Sequence, residues 1–359
     1  MERSRMPLVF GQGVDRDTGA MAVAPGMMEE LTNVYLHEGR AVVRRGLVQA
    51  TTIADAAGRP LTDVTLVHPL RAGGAGIVAG WVASDRTVHV VRVAGTGEFP
   101  TPIGQWGDPL HSLAETPPRF LAAETFGCVF LAHDEPALSR RLPTVYYDQT
   151  SGTLKTFTLE WQQGQPETVY FRGVTRHLDY LIGWGWGTEE EPRPELVRIS
   201  LPGQPLVFER NHYFVAGHRG DPVIACVPVG NVLLVFKESE TWRIEGYDRT
   251  NFGIRLADPR YGLAAARLAV TVGDTCFFWS LEGPRMSTGG ESVDLSIPLD
   301  LLGPQPADLA ELLPFGFAVY QPVRKAVLFV FGRHVYCLNL RNASGPRWTY
   351  LEYGVEVAG

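Results

Sequence analysis

Lysine is nearly missing from this chain. Only Lys155, Lys237 and Lys325 occur in 359 residues, against 29 arginines, a bias that points to a GC-rich genome more than to a mechanism. Cysteine is also sparse. Cys128, Cys226, Cys276 and Cys337 are far apart, form no CxxC pair and cluster with no histidine, which argues against a zinc site or a disulfide framework. They read as reduced core residues. No run approaches the roughly 18 apolar residues that a membrane-spanning helix needs. The opening MERSRMPLVFGQG lacks the apolar segment and small-residue cleavage site of a signal peptide, so synthesis and folding in a cytoplasm are expected. There is no GxGxxG between a strand and a helix and no GxxxxGK[ST], so no cofactor is expected. The formal net charge of −7 excludes tight, nonspecific nucleic-acid binding over the whole surface. It suits a wall that DNA slides past.

What the chain has is a repeat. Short apolar runs rich in β-branched and aromatic residues start near Gly76, Gly127, Leu178, Asn231, Asp274 and Ala326, at intervals of 51, 51, 53, 43 and 52 residues. A turn and a second strand-like run follow each. A period of about 40–50 residues with several strands per unit is the sequence signature of propeller blades. No WD or GH dipeptide accompanies it. The expected fold is all-β, a β-propeller of about six blades with short helical insertions. Residues 1–50 read as a loop and hairpin segment that closes the propeller by pairing with the last strand, Trp348–Glu352, and 51–359 as the propeller itself.

Within that frame, a helical turn is expected around Met27–Thr32, a first incomplete blade over 51–74 and a strand over Thr87–Val93. Helical potential is read in Asp258–Leu268 and, more strongly, in Leu301–Leu313, where Leu309, Leu312 and Leu313 share an apolar face. Residues 101–118 and 249–260 read as exposed loops between blades.

Several residues invite a chemical reading. His133-Asp134-Glu135 follows an apolar strand, as a base with its orienting carboxylate would, but no nucleophile is placed beside it by sequence and it is read as a polar turn after the strand. Asp148, Asp179, Glu245, Tyr146 and Tyr147 are the candidates for a propeller glycosidase, although the Ser-x-Asp-x-Gly-x-x-Trp pattern of sialidases is absent. Trp184 and Trp186 in GWGWG share one face of a strand and are candidates for ligand stacking, against the alternative of filling space between blades. The basic pairs Arg44-Arg45, Arg140-Arg141 and Arg324-Lys325 are candidate contacts to DNA or to an acidic neighbour, against the reading of solvated turns. His177, His212 and His218 have no zinc-like spacing.

Two stretches resemble the tail-nozzle and hub proteins of tailed bacteriophages. The first is Pro25-Gly26, Glu30-Leu31, Asn33-Val34, Gly39 and Arg44-Arg45-Gly46. The second is LLVFKESETWRIEG, then Tyr261-Gly262, then VTVGDTCFFWSLEGPRMSTGG. Together they cover roughly 100 residues. The resemblance implies a β-propeller virion subunit of the tail, assembled in the host cytoplasm. It implies a homo-oligomeric ring of six or twelve copies around the DNA channel, which retains and later releases the genome. The implied partners are portal, adaptor or tail proteins and passing double-stranded DNA, with no membrane insertion and no enzymatic activity. The alternative from another class is a carbohydrate-binding or glycoside-cleaving propeller acting at a host surface.

Overall fold

The computed structural model describes residues 13–14, 27–28, 34–37, 40–43, 63–70, 76–82, 87–93, 101–106, 119–159, 167–186, 193–248, 250–295, 306–341 and 347–352. The described residues contain six four-stranded antiparallel sheets, each built from four strands consecutive in sequence. The fold is a β-propeller. By compactness the chain divides into two units, 49–266 with 358–359, and 1–48 with 267–357.

The larger unit holds four of the sheets. The first runs Asp63–Pro69, Gly76–Val82, Thr87–Val93 and Thr101–Trp106; the second Phe120–Thr125, Cys128–His133, Val145–Asp148 and Thr153–Thr156. The third runs Gly173–His177, Tyr180–Trp184, Leu196–Leu201 and Gln204–Val215; the fourth Ala225–Val229, Val232–Phe236, Thr241–Glu245 and Gly253–Asp258. The first strand of the third sheet lies beside the first strands of the second and fourth, so neighbouring sheets meet along these edges. All six apolar runs seen in the sequence begin within two residues of a second strand. The second strand of the second sheet shows why. Its Val129 and Leu131 pack into a cluster with Ile77, Ala79, Val88 and Val90 of the first sheet, whereas Phe130 and Ala132 pack with Val174 and Leu181 of the third. Alternate residues point to opposite faces, so a sheet buried on both sides must be apolar at every position of its central strand. Burying each such side chain contributes about 1.5–3 kcal/mol.

The smaller unit holds the fifth sheet (Ala269–Val272, Thr275–Ser280, Gly283–Ser287, Val293–Asp294) and the sixth (Phe317–Gln321, Ala326–Phe331, His334–Asn339, Arg347–Glu352). Trp279 of the fifth sheet meets Phe329, Phe331 and Tyr336 of the sixth at ring-centroid distances of 5.2, 4.9 and 5.3 Å. The helix α1, Pro306–Leu312, precedes the sixth sheet and continues into a 3₁₀ turn at Leu313–Phe315. Leu309 and Leu313, one turn apart, are its buried face. This is the helix expected within Leu301–Leu313; residues 301–305 lie outside the described residues. No helix among the described residues is long and apolar enough to cross a membrane.

Other expectations are corrected. Met27–Met28 forms a parallel pair with Gly13–Val14, not a helical turn. Asp258–Leu268 is not helical: Gly262 lies so close to the backbone of Lys237 and Glu238 that a Cβ there would overlap them, which seats the segment as a crossover. Thr101–Trp106 and Gly253–Asp258, read as loops, are the fourth strands of their sheets. The opening hairpin, Val34–His37 with Arg40–Val43, runs beside Arg347–Glu352 but is not hydrogen-bonded into the sixth sheet.

Turns between first and second strands use left-handed backbone. Three of them carry a residue with a long side chain there, Phe126 at φ 47, Leu178 at φ 52 and Lys325 at φ 49, where glycine is favoured on steric grounds. Phe171 is fully buried between the second and third sheets, whereas Phe126 is 47% exposed. Phe171→Ala is therefore expected to lower unfolding stability by about 3–5 kcal/mol. Phe126→Gly is expected to change it by less than about 1 kcal/mol. Urea unfolding of both variants checks the contrast, and equal losses would count against this assignment of the core.

Candidate functional site

The buried charges of the larger unit gather where second strands end and where the chain crosses to the next sheet. Asp134 leaves the second strand of the second sheet and accepts a hydrogen bond from Arg172 Nε at 2.8 Å, both residues being buried. Arg172 lies just ahead of the third sheet, and its Nη1 donates to Val223 O, just ahead of the fourth, at 3.3 Å. One ion pair thus reaches three consecutive sheets. Arg141 donates to the carbonyls of Glu135, Pro136, Tyr170 and Gly185 at 2.5–3.1 Å. Burial and the neighbouring Arg172 push its guanidinium down to about 10, which leaves it charged at neutral pH. Thr144 accepts from Phe171 N–H through its hydroxyl at 2.9 Å.

The pattern recurs one sheet later. Glu195 is wholly buried and accepts from Arg193 Nε at 2.7 Å and from Gly220 N–H at 3.2 Å. Burial alone would raise its carboxyl, but Arg193 and the backbone N–H donors hold it below its usual range. In the fourth sheet the wholly buried Lys237 meets Asp221 Oδ2 at 2.5 Å and Glu240 Oε1 at 3.6 Å. Glu240 Oε1 also accepts from Trp242 Nε1 at 2.7 Å. Thr241 Oγ1 donates to Tyr261 O at 2.7 Å, and Leu263 N–H donates to Lys237 O at 2.8 Å. These groups tie crossover segments to the sheets they join.

The residues nominated from sequence fare differently. His133 is buried, its Nδ1 accepts from Leu142 N–H at 3.2 Å, and its ring tilts against Phe120. Burial pushes it down to about 4, so it is neutral at pH 7. Asp134 pairs with Arg172 and does not orient it. Trp184 and Trp186 are 2% and 3% exposed, which corrects the stacking reading: neither indole presents a face to solvent. Trp186 packs edge-on to Phe171 at 5.7 Å, with the Arg198 guanidinium 4.8 Å over its ring. The pair Arg140-Arg141 splits. Arg140 is exposed and bridges Glu135 at 3.1 Å, while Arg141 is the buried clamp above and is corrected as a lumen contact. Arg44 and Arg45 lie outside the described residues.

The three carboxylates among the glycosidase candidates each engage a cation of their own sheet. Lys155, Ser151 and the Thr150 N–H hold the Asp148 carboxyl well below the usual carboxylate range. Asp179 lies 3.8 Å from Arg176, and Glu245 bridges Arg243 and Arg255 at 3.3 and 3.1 Å. Tyr147 is buried against the first sheet, and Tyr146 stacks on Phe130. All four cysteines are free thiols, three of them buried. Among the described residues no three His, Cys, Asp or Glu side chains are grouped to hold a metal. Sequence reading passed over Arg172, Glu195 and Asp221. The signal was a lone charge abutting an apolar run, as in YFRGV and RPELV.

Comparison with known proteins adds the following. No family model matches the chain, and no curated protein matches it. Among solved structures it is similar to a functionally unknown protein from Desulfotomaculum acetoxidans DSM 771, at 11% identity and a TM-score of 0.49, over 82% of this chain and 87% of that one. It is also similar to YjhT at 7% identity and a TM-score of 0.44, over 80% of this chain and 97% of that one.

The network generates two expectations. Arg172→Met leaves Asp134 buried without its cation and is expected to cost about 3–5 kcal/mol, whereas Arg140→Ala is expected to stay within about 0.5 kcal/mol. Denaturant midpoints of the two variants check this. His133 and His177 are both lowered to about 4, chiefly by burial. Between that value and the ordinary histidine value of about 6.5 the unfolded chain binds protons that the folded chain does not. Stability is therefore expected to be full above that window and to fall as pH drops through it, at up to about 1.4 kcal/mol per pH unit for each histidine. A urea series at stepped pH reads the slope; His133→Asn should flatten it, and a slope unchanged in that variant would count against the assignment.

Proposed function

We propose that this chain is a structural subunit of a tailed-bacteriophage-like particle. In this reading it is a nozzle, hub or neck component that assembles with its own copies into a ring around the DNA channel, retaining the genome and later releasing it. The observation that carries the reading is a junction in the fourth sheet. Two separate pieces of the second resembling stretch, LLVFKESETWRIEG and Tyr261-Gly262, meet there. Leu263 N–H donates to Lys237 O, Thr241 donates to Tyr261 O, and Gly262 sits against the Lys237–Glu238 backbone at a distance no side chain would allow. The shared residue types are thus those that seat one crossover on its sheet, which is what a common scaffold would retain.

Two further features support it. Arg141, Asp134, Arg172 and Lys237 of the larger unit are engaged with carbonyls or opposite charges of neighbouring segments, as in a part that holds a shape under stress. The net charge of −7 suits a wall that DNA passes without sticking.

Quantitative mass spectrometry of purified particles tests the proposal, with this chain scaled to the portal protein. About six or twelve copies per particle are expected for a closed ring. Absence from particles, together with a purified chain that stays monomeric, would overturn it.

A further inference from the structure

The Lys237 cluster holds more than a salt bridge needs. We propose that Lys237 and Asp221 form an intramolecular isopeptide bond, with Glu240 as the proton relay. The inference is independent of any role in a particle.

Three observations point to it. The first is approach. Lys237 Nζ lies 2.5 Å from Asp221 Oδ2, shorter than the ordinary 2.7–2.9 Å of a charged N–H···O contact, and the carboxyl carbon is one bond beyond. That places the amine within the near-attack range of about 3–3.5 Å. The second is seclusion. The Lys237 side chain is 1% exposed, and a side chain at Gly217 would collide with both Lys237 Nζ and Glu240 Oε1, so the backbone closes over the amine. The third is the second carboxylate. Glu240 Oε1 stands 3.6 Å from Nζ, held by Trp242 Nε1–H at 2.7 Å. The short turn that carries both residues is pinned by Lys237 N–H donating to Glu240 O at 2.9 Å.

The step balances without an outside reagent. The ammonium proton passes to the Asp221 carboxylate, giving amine and acid. The Nζ lone pair attacks Asp221 Cγ and forms the C–N bond. Glu240 takes the second proton from Nζ and delivers it to the departing hydroxyl, which leaves as water. Ammonium and carboxylate become one amide and one water, with no change in oxidation state. Asp221, 44% exposed, gives that water a path to solvent while the amine stays sealed. The product would link the crossover ahead of the fourth sheet covalently to the end of its second strand, closing a ring across residues 221–237.

The test is the intact mass of the purified full chain under denaturing conditions. The expected mass is one water below that of the sequence, with fragmentation placing the loss on a branched peptide joining Asp221 to Lys237. The full sequence mass would overturn the proposal, as would a loss mapped elsewhere. Asp221→Ala and Glu240→Gln are both expected to restore the unbridged mass, and persistence of the loss in Asp221→Ala would also overturn it. Because the wild-type mass is decisive alone, a variant that fails to fold does not blunt the test.

Discussion

Everything in the larger unit depends on sheets that are buried on both faces. The second strand of the second sheet gives Val129 and Leu131 to one interface and Phe130 and Ala132 to the other, so this sheet does not complete its core without both neighbours. Apolar area is then committed at every central position, and none of those positions can carry polar chemistry. Charged groups are displaced to strand ends, where the chain leaves one sheet for the next. That is where Asp134, Arg172, Glu195 and Lys237 are found.

Placing charge there has a cost that ion pairing only partly offsets, since each buried ion gives up its hydration. What the pairs add is selectivity. Arg172 satisfies Asp134 and Val223 O together only when three consecutive sheets are in place, and Arg141 reaches Tyr170 O and Gly185 O only in the same arrangement. A crossover seated one residue out of step would strand a buried charge. Packing supplies most of the driving force, and the charges restrict which packing is accepted.

The propeller was legible in the sequence because its period is the period of second strands. Those strands are apolar at nearly every residue, with polar residues only at ends such as His133, Thr275 and Ser280, so each stood out as a run even without a shared dipeptide. Outer strands were not legible: Thr101–Trp106 contains a proline, Gly253–Asp258 is partly solvated and contains an arginine, and both read as loops. Asp258–Leu268 misled in the opposite direction. Its alanines and leucines favour a helix, but the close approach of Gly262 to the neighbouring strand is a tertiary demand that local propensity does not contain. The polar network was half visible. His133-Asp134-Glu135 drew notice as a cluster, but its true partners, Arg172 and Arg141, are distant in sequence, and only the fold brings them together. The Trp184 and Trp186 pair showed the limit of a motif: the alternation suggested one shared strand face, but the strand ends at Trp184 and left-handed Gly185 turns the chain before Trp186, which packs on Phe171.

The two ends of the larger unit differ in how much change they tolerate. At the end with the crossovers, a substitution at Asp134 or Arg172 strands a charge whose partner belongs to another sheet, so viable changes there must arrive in pairs. At the opposite end lie hairpin turns such as the one at Gly152, where Asp148 accepts from the Gly152 and Thr150 N–H groups and from the Ser151 hydroxyl, all within a few residues. Lengthening such a turn disturbs nothing beyond its own sheet. Over evolutionary time the crossover end would retain its residues, while the hairpin end would be free to diverge and to acquire new surface.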